Sequence, residues 1–416
     1  MHPSWEEFYL SGRLSRVAQA VGPKIREGVI MVRIAVLGGG ASPEHEISLV
    51  SASEVLKGLH GLSTEIEGLE VLAVRISREG IWHLGSLRRP GADFSVRDLR
   101  QLQSQRPGMP GPRAVLELSQ RGIDLVFPAL HGAYGEDGRI QALCELSDLP
   151  YVGSGPMASG AGMSKLLSRH LLLGAGLPMA RGWTPDRRSA AQELPRILLE
   201  RIRDQEGLRF PWFLKAELSG SSLGIEKVDD SAGFAPALER IRERKEDWLV
   251  EEGVSGVEYT VAVLGNSGSE LRALPPVEIR PRNGFFDYEA KYDATLTEEL
   301  CPAPTLDAEA TAEIQALGLR AHDVLGCRGF SRSDFIRGVD GQFRIFETNT
   351  LPGLTPESLF PKAALAVGLS FSQLMGELIG LAMMGAGNAG IAGPEDRKRA
   401  SDPGESAEPS SEARGA

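Results

Sequence analysis

At 416 residues, 42% apolar content and a formal charge of −11, the chain has material for two to three domains of about 150 residues each and a sizeable core. The negative balance argues against a nucleic-acid binder held by phosphate contacts, and no apolar run approaches the ~18 residues that would span a bilayer. Cys144, Cys301 and Cys327 are too few and too far apart for a disulfide framework or a zinc site; they read as small hydrophobes in a reducing cytoplasm.

The first thirty residues carry Glu6, Glu7, Arg13, Arg16, Lys24, Arg26 and Glu27 without a continuous apolar stretch, a poor signal peptide. Met31 directly precedes the first convincing strand, 32–37. Residues 1–30 are therefore expected to be a dispensable extension or to lie ahead of the native start. Gly38-Gly39-Gly40 follows, with Ser42 expected as a helix N-cap and Pro43 as the first helical residue. The turn lacks the third glycine of a dinucleotide fingerprint, so that reading is weak. Further strands are expected at 69–76 and 123–130. Residues 88–113, rich in Gly, Pro and Arg, read as a loop-bearing insertion. Strands alternating with helices indicate a parallel α/β first domain over 31–153. His131-Gly132-Ala133-Tyr134-Gly135-Glu136-Asp137-Gly138 comes directly after a strand, where α/β folds place ligand loops.

A second region, 154–249, places Lys165 in a helix and an amphipathic helix over 190–203. Strand 210–216, the loop Ser219-Gly220-Ser221-Ser222-Leu223-Gly224 and strand 225–228 follow. The loop is no P-loop, having no Gly-Lys-Ser/Thr, yet with Lys215 at its base it can fold backbone amides over phosphates. The third region, 250–384, follows a strand at 248–252 and has strands at 258–264 and 274–279, then an irregular stretch, 280–301. That stretch carries Phe285, Phe286, Tyr288 and Tyr292, too aromatic for disorder and so expected to be functional. Residues 385–416 read as a disordered tail.

Ser331-Arg332-Ser333-Asp334-Phe335-Ile336, Asp340-Gly341 and Phe346-Glu347-Thr348-Asn349 read as a hairpin. A two-residue type I′ turn at Asp340-Gly341 sets Val339 opposite Gln342. Ile336 then meets Ile345, Asp334 meets Glu347 and Arg332 meets Asn349, all six on one face. Two directly opposed carboxylates repel, and a sequence that tolerates them usually has a cation between them. A donor set of Asp, Glu and Asn, without Cys or His, favours Mg²⁺, which binds a few carboxylates plus substrate phosphates. Arg332 beside such a metal reads as a clamp for developing charge. The alternative is a plain surface hairpin, for which Asn349-Thr350-Leu351-Pro352-Gly353 is an odd exit.

With these motifs placed, the chain resembles the D-alanine–D-alanine ligases of the ATP-grasp superfamily over residues 32–381. The resemblance rests on His131-Gly132-x-x-Gly135-Glu136-Asp137-Gly138-x-x-Gln141 and on the segment from Gly326 to Thr355. Tyr288-Glu289-Ala290-Lys291-Tyr292 with Cys301-Pro302-Ala303 matches the family's mobile ω-loop. It implies a three-domain α/β ATP-grasp architecture with a Rossmann-like parallel α/β N-terminal domain. The implied reaction is ATP-dependent: one D-alanine carboxylate is phosphorylated, the amine of a second attacks the acyl phosphate, and dipeptide, ADP and phosphate leave, for peptidoglycan precursor synthesis. By position, Lys165 and Lys215 would contact ATP phosphates, Glu251 and Val254 would edge the adenine, and Glu258 would take the ribose hydroxyls. Asp334, Glu347 and Asn349 would hold two Mg²⁺ ions, with Mn²⁺ able to substitute. Arg332 and the Gly353 amide would form an oxyanion hole. Glu44 would bind the first D-alanine's ammonium, His131 would lie near its carboxylate, and Lys291 and Ser358 would bind the second carboxylate. Ser221, Tyr292 and Glu44 would latch the ω-loop. The resemblance also implies a cytoplasmic homodimer acting on small molecules, with neither nucleic acid nor membrane as partner.

Two positions depart from the family pattern: Glu252 stands where a Lys is common, and Ser219 where a Glu is usual. Both bear on nucleotide affinity and loop order. Tyr292, rather than Phe, implies an amine acceptor over D-lactate. Two other readings remain: a related carboxylate–amine ligase such as a D-Ala–D-Ser ligase, and a catalytically silent nucleotide-binding regulator. Intact Arg332, Asp334, Glu347 and Asn349 argue against the regulator, and D-alanine-dependent ADP release separates the classes.

Overall fold

The run Val32-Arg33-Ile34-Ala35-Val36-Leu37 is apolar toward both faces, the pattern of a strand covered on both sides. In the computed structural model, which describes residues 25–26, 29–63, 66, 68–105, 107–186, 191–218, 224–281 and 297–388, this run is the centre of the first sheet. Strand β1 is Ile25–Arg26 and β2 is Val29–Gly39; they pair antiparallel, so the sheet begins ahead of Met31. β2 pairs parallel with β3 (Gly68–Ile76) and with β6 (Leu125–Pro128). β4 (Ile81–Leu84) and β5 (Met109–Pro110) extend the sheet antiparallel. The expected parallel domain is thus parallel at its heart and antiparallel at one edge. Alternation sorts β2 cleanly: Val32, Ile34 and Val36 enter one core cluster, Ala35 and Leu37 the other.

Helix α1 (His45–Leu62) follows the glycine turn. It starts later than expected: Pro43 lies in a turn, Glu44 is the N-cap, and the Ser42 hydroxyl accepts from the Glu44 amide at 3.2 Å. The stretch 88–113 is no plain loop. It holds α2 (Val96–Gln105), β5 and the start of α3 (Gly111–Gln120). Val96, Leu99 and Leu102, three residues apart, give α2 an apolar stripe that packs on the first core. α4 (Arg139–Leu146), α5 (Pro156–Met163) and α6 (Lys165–Gly174) lead into the second sheet.

That sheet is antiparallel, ordered β7 (Gly182–Trp183), β10 (Trp248–Glu252), β8 (Trp212–Ala216), β9 (Ile225–Val228). The helix expected over 190–203 forms instead as α7 (Pro195–Glu200), running into a π-turn at Arg201–Gln205. Pro195 sets the start because it needs no donor partner there. α8 (Ser231–Glu243) is capped by Asp230, whose carboxylate accepts from the Ala232 and Gly233 amides. Because β10 belongs wholly to this sheet, the second region ends after Glu252 rather than at 249.

The third sheet runs β14 (Thr297–Leu300), β13 (Val277–Pro281), β11 (Gly256–Leu264), β15 (Phe330–Gly338), β16 (Phe343–Asn349), with β12 (Arg272–Ala273) beside β11. The strand expected over 274–279 is split between β12 and β13, since Pro275-Pro276 has no amide hydrogens to give a ladder. β14 is a strand within the stretch expected to be irregular. α9 (Ala308–Val324) covers one face of this sheet through Ile314, Leu317 and Ala321.

The last two helices, α10 (Leu359–Ala366) and α11 (Phe371–Asn388), join the first core; α11 runs past Gly385, where the tail was expected to begin. No single helix among the described residues is long and apolar enough to cross a membrane. The apolar pair α10 and α11 bends by 102°, and its Phe360, Ala363, Leu374 and Met375 are buried in the core. Cys144 and Cys327 are free and buried, burial pushing both thiols up to about 12, and the half-buried Cys301 thiol is raised to about 11.

Phe360 is fully buried, 5.3 Å from the ring of Phe330, and ties α10 to the first domain's core. Phe360→Ala is expected to cost about 3–5 kcal/mol, read from a denaturant midpoint. A loss below about 1 kcal/mol would mean that α10 is not part of the cooperative core.

Candidate active site

The turn of the β15–β16 hairpin is one residue longer than expected. Gly338 donates to the Gln342 carbonyl at 2.9 Å and Gly341 to the Gly338 carbonyl at 2.8 Å, with Gly341 at φ +78°. Val339, Asp340 and Gly341 thus form a three-residue turn that needs glycine in the left-handed region at its end. By itself this would set Asp334 opposite Phe346. A β-bulge intervenes: Phe335 pairs with Ile345, then Asp334 with Glu347, leaving Phe346 as the extra residue. The register at Arg332↔Asn349 and Asp334↔Glu347 is therefore as expected, while Ile336 meets Arg344 rather than Ile345. The Phe346 ring centre lies 5.1 Å from Lys215 Nζ.

The opposed carboxylates carry their own screen. Arg332 Nε donates to Asp334 Oδ1 and Nη2 to Oδ2, both at 2.8 Å, and Thr260 Oγ1 donates to Oδ1 at 2.7 Å. Burial works against the Arg332 charge, but the carboxylates of Asp334, Glu347 and Glu136 overcome it and hold the guanidinium more firmly protonated than usual.

Two cavities meet here. One, of about 740 Å³, is lined by Lys215, Glu251, Val254, Glu258, Asp334 and Phe346. The other, of about 360 Å³, is lined by Glu44, His131, Arg332, Asn349, Gly353 and Ser358. Lys165 and Glu347 line both. Of the sequence-derived site residues, these thirteen come together; Ser221, Lys291 and Tyr292 lie outside the described residues.

In the smaller cavity, Ser42 Oγ donates to the His131 carbonyl at 2.6 Å, tying the Glu44 loop to the His131 loop. The His131 amide donates to Ser48 Oγ at 2.9 Å, its Nε2 is 2.8 Å from Ser51 Oγ, and its Nδ1 is 3.5 Å from Glu136 Oε1. The ring is thus held between α1 and its own loop. Ser358, the N-cap of α10, accepts from the Thr355 amide at 3.2 Å. In the larger cavity, Glu251 receives Lys215 Nζ and Arg169 Nη1, each at 2.6 Å. Glu252 is tied to Arg181 at 3.3 Å and to the Arg209 amide at 2.7 Å, so its charge is already compensated.

Among the described residues, no cluster of three or more His, Cys, Asp or Glu forms a metal site. The junction offers two carboxylates and an amide, Asp334, Glu347 and Asn349, an oxygen set that suits Mg²⁺ completed by substrate phosphates. Sequence reasoning missed Thr260, Arg169, Ser51 and Phe346. Thr260 was within reach, two residues after Glu258 and so on the same strand face.

Two solved structures share this fold. The D-Ala:D-Ser ligase VanG from Enterococcus faecalis is 31% identical with a TM-score of 0.68, covering 85% of this chain and 100% of that one. The D-alanine-D-alanine ligase from Coxiella burnetii is 27% identical with a TM-score of 0.66, covering 89% and 98%. An α/β domain followed by two antiparallel sheets that share a cleft of lysines and carboxylates defines an ATP-grasp enzyme. Residues 33–154 match the family model described as D-ala D-ala ligase N-terminus, and residues 171–380 match D-ala D-ala ligase C-terminus. D-alanine--D-alanine ligase A of Mesorhizobium japonicum is 36% identical over 356 residues, 83% of this chain and 96% of that protein. The chain belongs to the D-alanine–D-alanine ligase family.

Proposed function

We infer that the two cavities hold ATP and D-alanine and that their junction is the reaction centre. The chain is a ligase that joins two D-alanines to D-alanyl-D-alanine for peptidoglycan precursor synthesis, with ATP giving ADP and phosphate and with Mg²⁺ required. The observation that carries the residue assignment is Asp334 paired opposite Glu347, with Arg332 forked onto Asp334, where the cavities meet.

A carboxylate oxygen of the first D-alanine attacks the γ-phosphorus, the bond to the β-phosphate oxygen breaks, and ADP leaves. The amine of the second D-alanine, having lost a proton, attacks the acyl carbon, and the bond to the phosphate breaks. Asp334, Glu347 and Asn349 hold two Mg²⁺ ions, which Mn²⁺ can replace. Bound there, the metal neutralises phosphate charge and orients the γ-phosphoryl group. Lys165 and Lys215 bind phosphates, Glu251 and Val254 edge the adenine, and Glu258 takes the ribose. Arg332 and the Gly353 amide stabilise the oxyanion. Glu44 holds the first ammonium, His131 faces its carboxylate, and Ser358 with Lys291 takes the second carboxylate. Ser221 and Tyr292 close the ω-loop with Glu44, excluding water that would hydrolyse the acyl phosphate. We further propose three domains divided near residues 153 and 252, a homodimer, and a cytoplasmic setting, where D-alanine and ATP are the partners.

Glu44→Gln is expected to raise KM for D-alanine about tenfold or more while ATP affinity stays unchanged, the scale of a lost charged hydrogen bond. Steady-state titration of each substrate checks it; a matching loss in ATP affinity would move Glu44 out of the amino-acid site. The similarity to a D-Ala:D-Ser ligase keeps D-serine as an alternative acceptor. Phosphate release with Mg-ATP, with and without D-alanine, and the product mass from an equimolar D-alanine and D-serine mixture test both readings. Release that ignores D-alanine overturns the function. D-alanyl-D-serine as the main product moves the acceptor.

A further inference from the structure

Resting on the assignment of the larger cavity to ATP, we propose that Arg169 is a positioning residue. It keeps Glu251 anchored and ionised so that Lys215 can leave that carboxylate for the triphosphate.

Three buried charges form the base of the cavity. Glu251 is 3% exposed and Arg169 6%. Lys215 Nζ and Arg169 Nη1 each approach Glu251 at 2.6 Å, on opposite carboxylate oxygens. Arg169 Nη2 also donates to the Ala180 carbonyl at 2.8 Å. Gly182 is part of this fit: a Cβ there would stand 3.0 Å from Nη2 and 3.1 Å from Cζ, so a larger residue would press on the guanidinium. Arg169 lies one turn after Lys165 on α6, so one helix supplies both a cavity cation and the counter-ion of a cavity carboxylate.

Lys215 cannot serve two anions at once. In this structure its ammonium is on Glu251, while its assigned role is on phosphate. Moving it strips Glu251 of one cation. A buried carboxylate left without a partner is costly, so a lone Glu251 would hold its lysine or take up a proton. Arg169 removes that conflict. Its planar fork keeps one arm on Glu251 and another on a fixed backbone carbonyl, whatever Lys215 does. Phe346, placed by the β-bulge 5.1 Å from Lys215 Nζ, offers an aromatic surface along which the ammonium can turn.

The test compares wild type, Arg169→Met, Arg169→Lys and the double variant Arg169→Met/Glu251→Gln. Binding of ATP and of adenosine is measured by competition with a fluorescent nucleotide, alongside D-alanine-dependent turnover and a thermal melt. Arg169→Met is expected to weaken ATP binding roughly tenfold or more, the scale of truncating one partner of a buried charge pair, and to leave adenosine within about threefold. Arg169→Lys should fall between. The double variant has no carboxylate to trap Lys215 and should recover ATP affinity to within about threefold of wild type. A packing role for Arg169 gives no such recovery, and a folded double variant as weak as Arg169→Met overturns the proposal. If Arg169→Met does not fold, the folded double variant against wild type decides by the same threshold. Wild type that binds no ATP instead overturns the nucleotide assignment beneath it.

Discussion

Alanine at Arg332 is expected to lower turnover about 10²-fold or more with ATP affinity largely intact, the scale of losing an oxyanion donor. The hairpin register places this guanidinium beside the carboxylate pair and in the smaller cavity, where the acyl carbon would sit. Its fork to Asp334 shows that it can also stand in for a cation between carboxylates. With Mg²⁺ loaded, that screening passes to the metal and Arg332 is left to meet charge that develops only in the transition state. Arg332→Lys keeps the charge but not the fork and should recover only part of the rate. Steady-state kinetics beside direct ATP titration decides the matter. Equal losses in binding and turnover would mark Arg332 as a ground-state contact.

Asp334→Asn is expected to reduce D-alanine-dependent ADP formation about 10³-fold, the several kcal/mol that a correctly held metal supplies to phosphoryl transfer. The substitution keeps an oxygen that can accept from Thr260 and Arg332, so the local fold should persist. It removes one of the two opposed charges that make the junction attractive to a cation. The Mg²⁺ concentration for half-maximal activity should therefore rise at least tenfold, on the scale of a disturbed metal shell. Unchanged Mg²⁺ dependence at near-normal turnover would place the metal elsewhere.

Much of this site was legible because its chemistry sits in short local patterns. Asp334 opposite Glu347 followed from strand alternation and one turn, yet the reasoning contained two omissions that cancel. The turn carries one more residue than Asp340-Gly341 alone requires, and the bulge at Phe346 takes that residue back. A bulge leaves no mark on a nearly continuous apolar run such as Phe343 to Phe346. The Arg169–Glu251 pair was hidden for a different reason: its partners are 82 residues apart and meet only when α6 packs against β10. Helix limits failed where turn chemistry competed with propensity, as at Ser42-Pro43 and at Pro195. The α2 stripe was masked by its Gly, Pro and Arg-rich flanks. The return of α10 and α11 to the first core could not be read locally, since apolar periodicity says that a face is buried but not against what.

The most direct test of the central claim, that this cleft activates a D-alanine carboxylate with ATP, is to supply D-alanine labelled with ¹⁸O in both carboxyl oxygens and to weigh the phosphate released. Acyl phosphate formation passes one labelled oxygen to phosphate and leaves the other in the new peptide carbonyl. Phosphate carrying one ¹⁸O for each D-alanyl-D-alanine formed is the expected result. Unlabelled phosphate accompanying dipeptide formation would contradict the account, because the carboxylate would not have been the group that met the γ-phosphoryl.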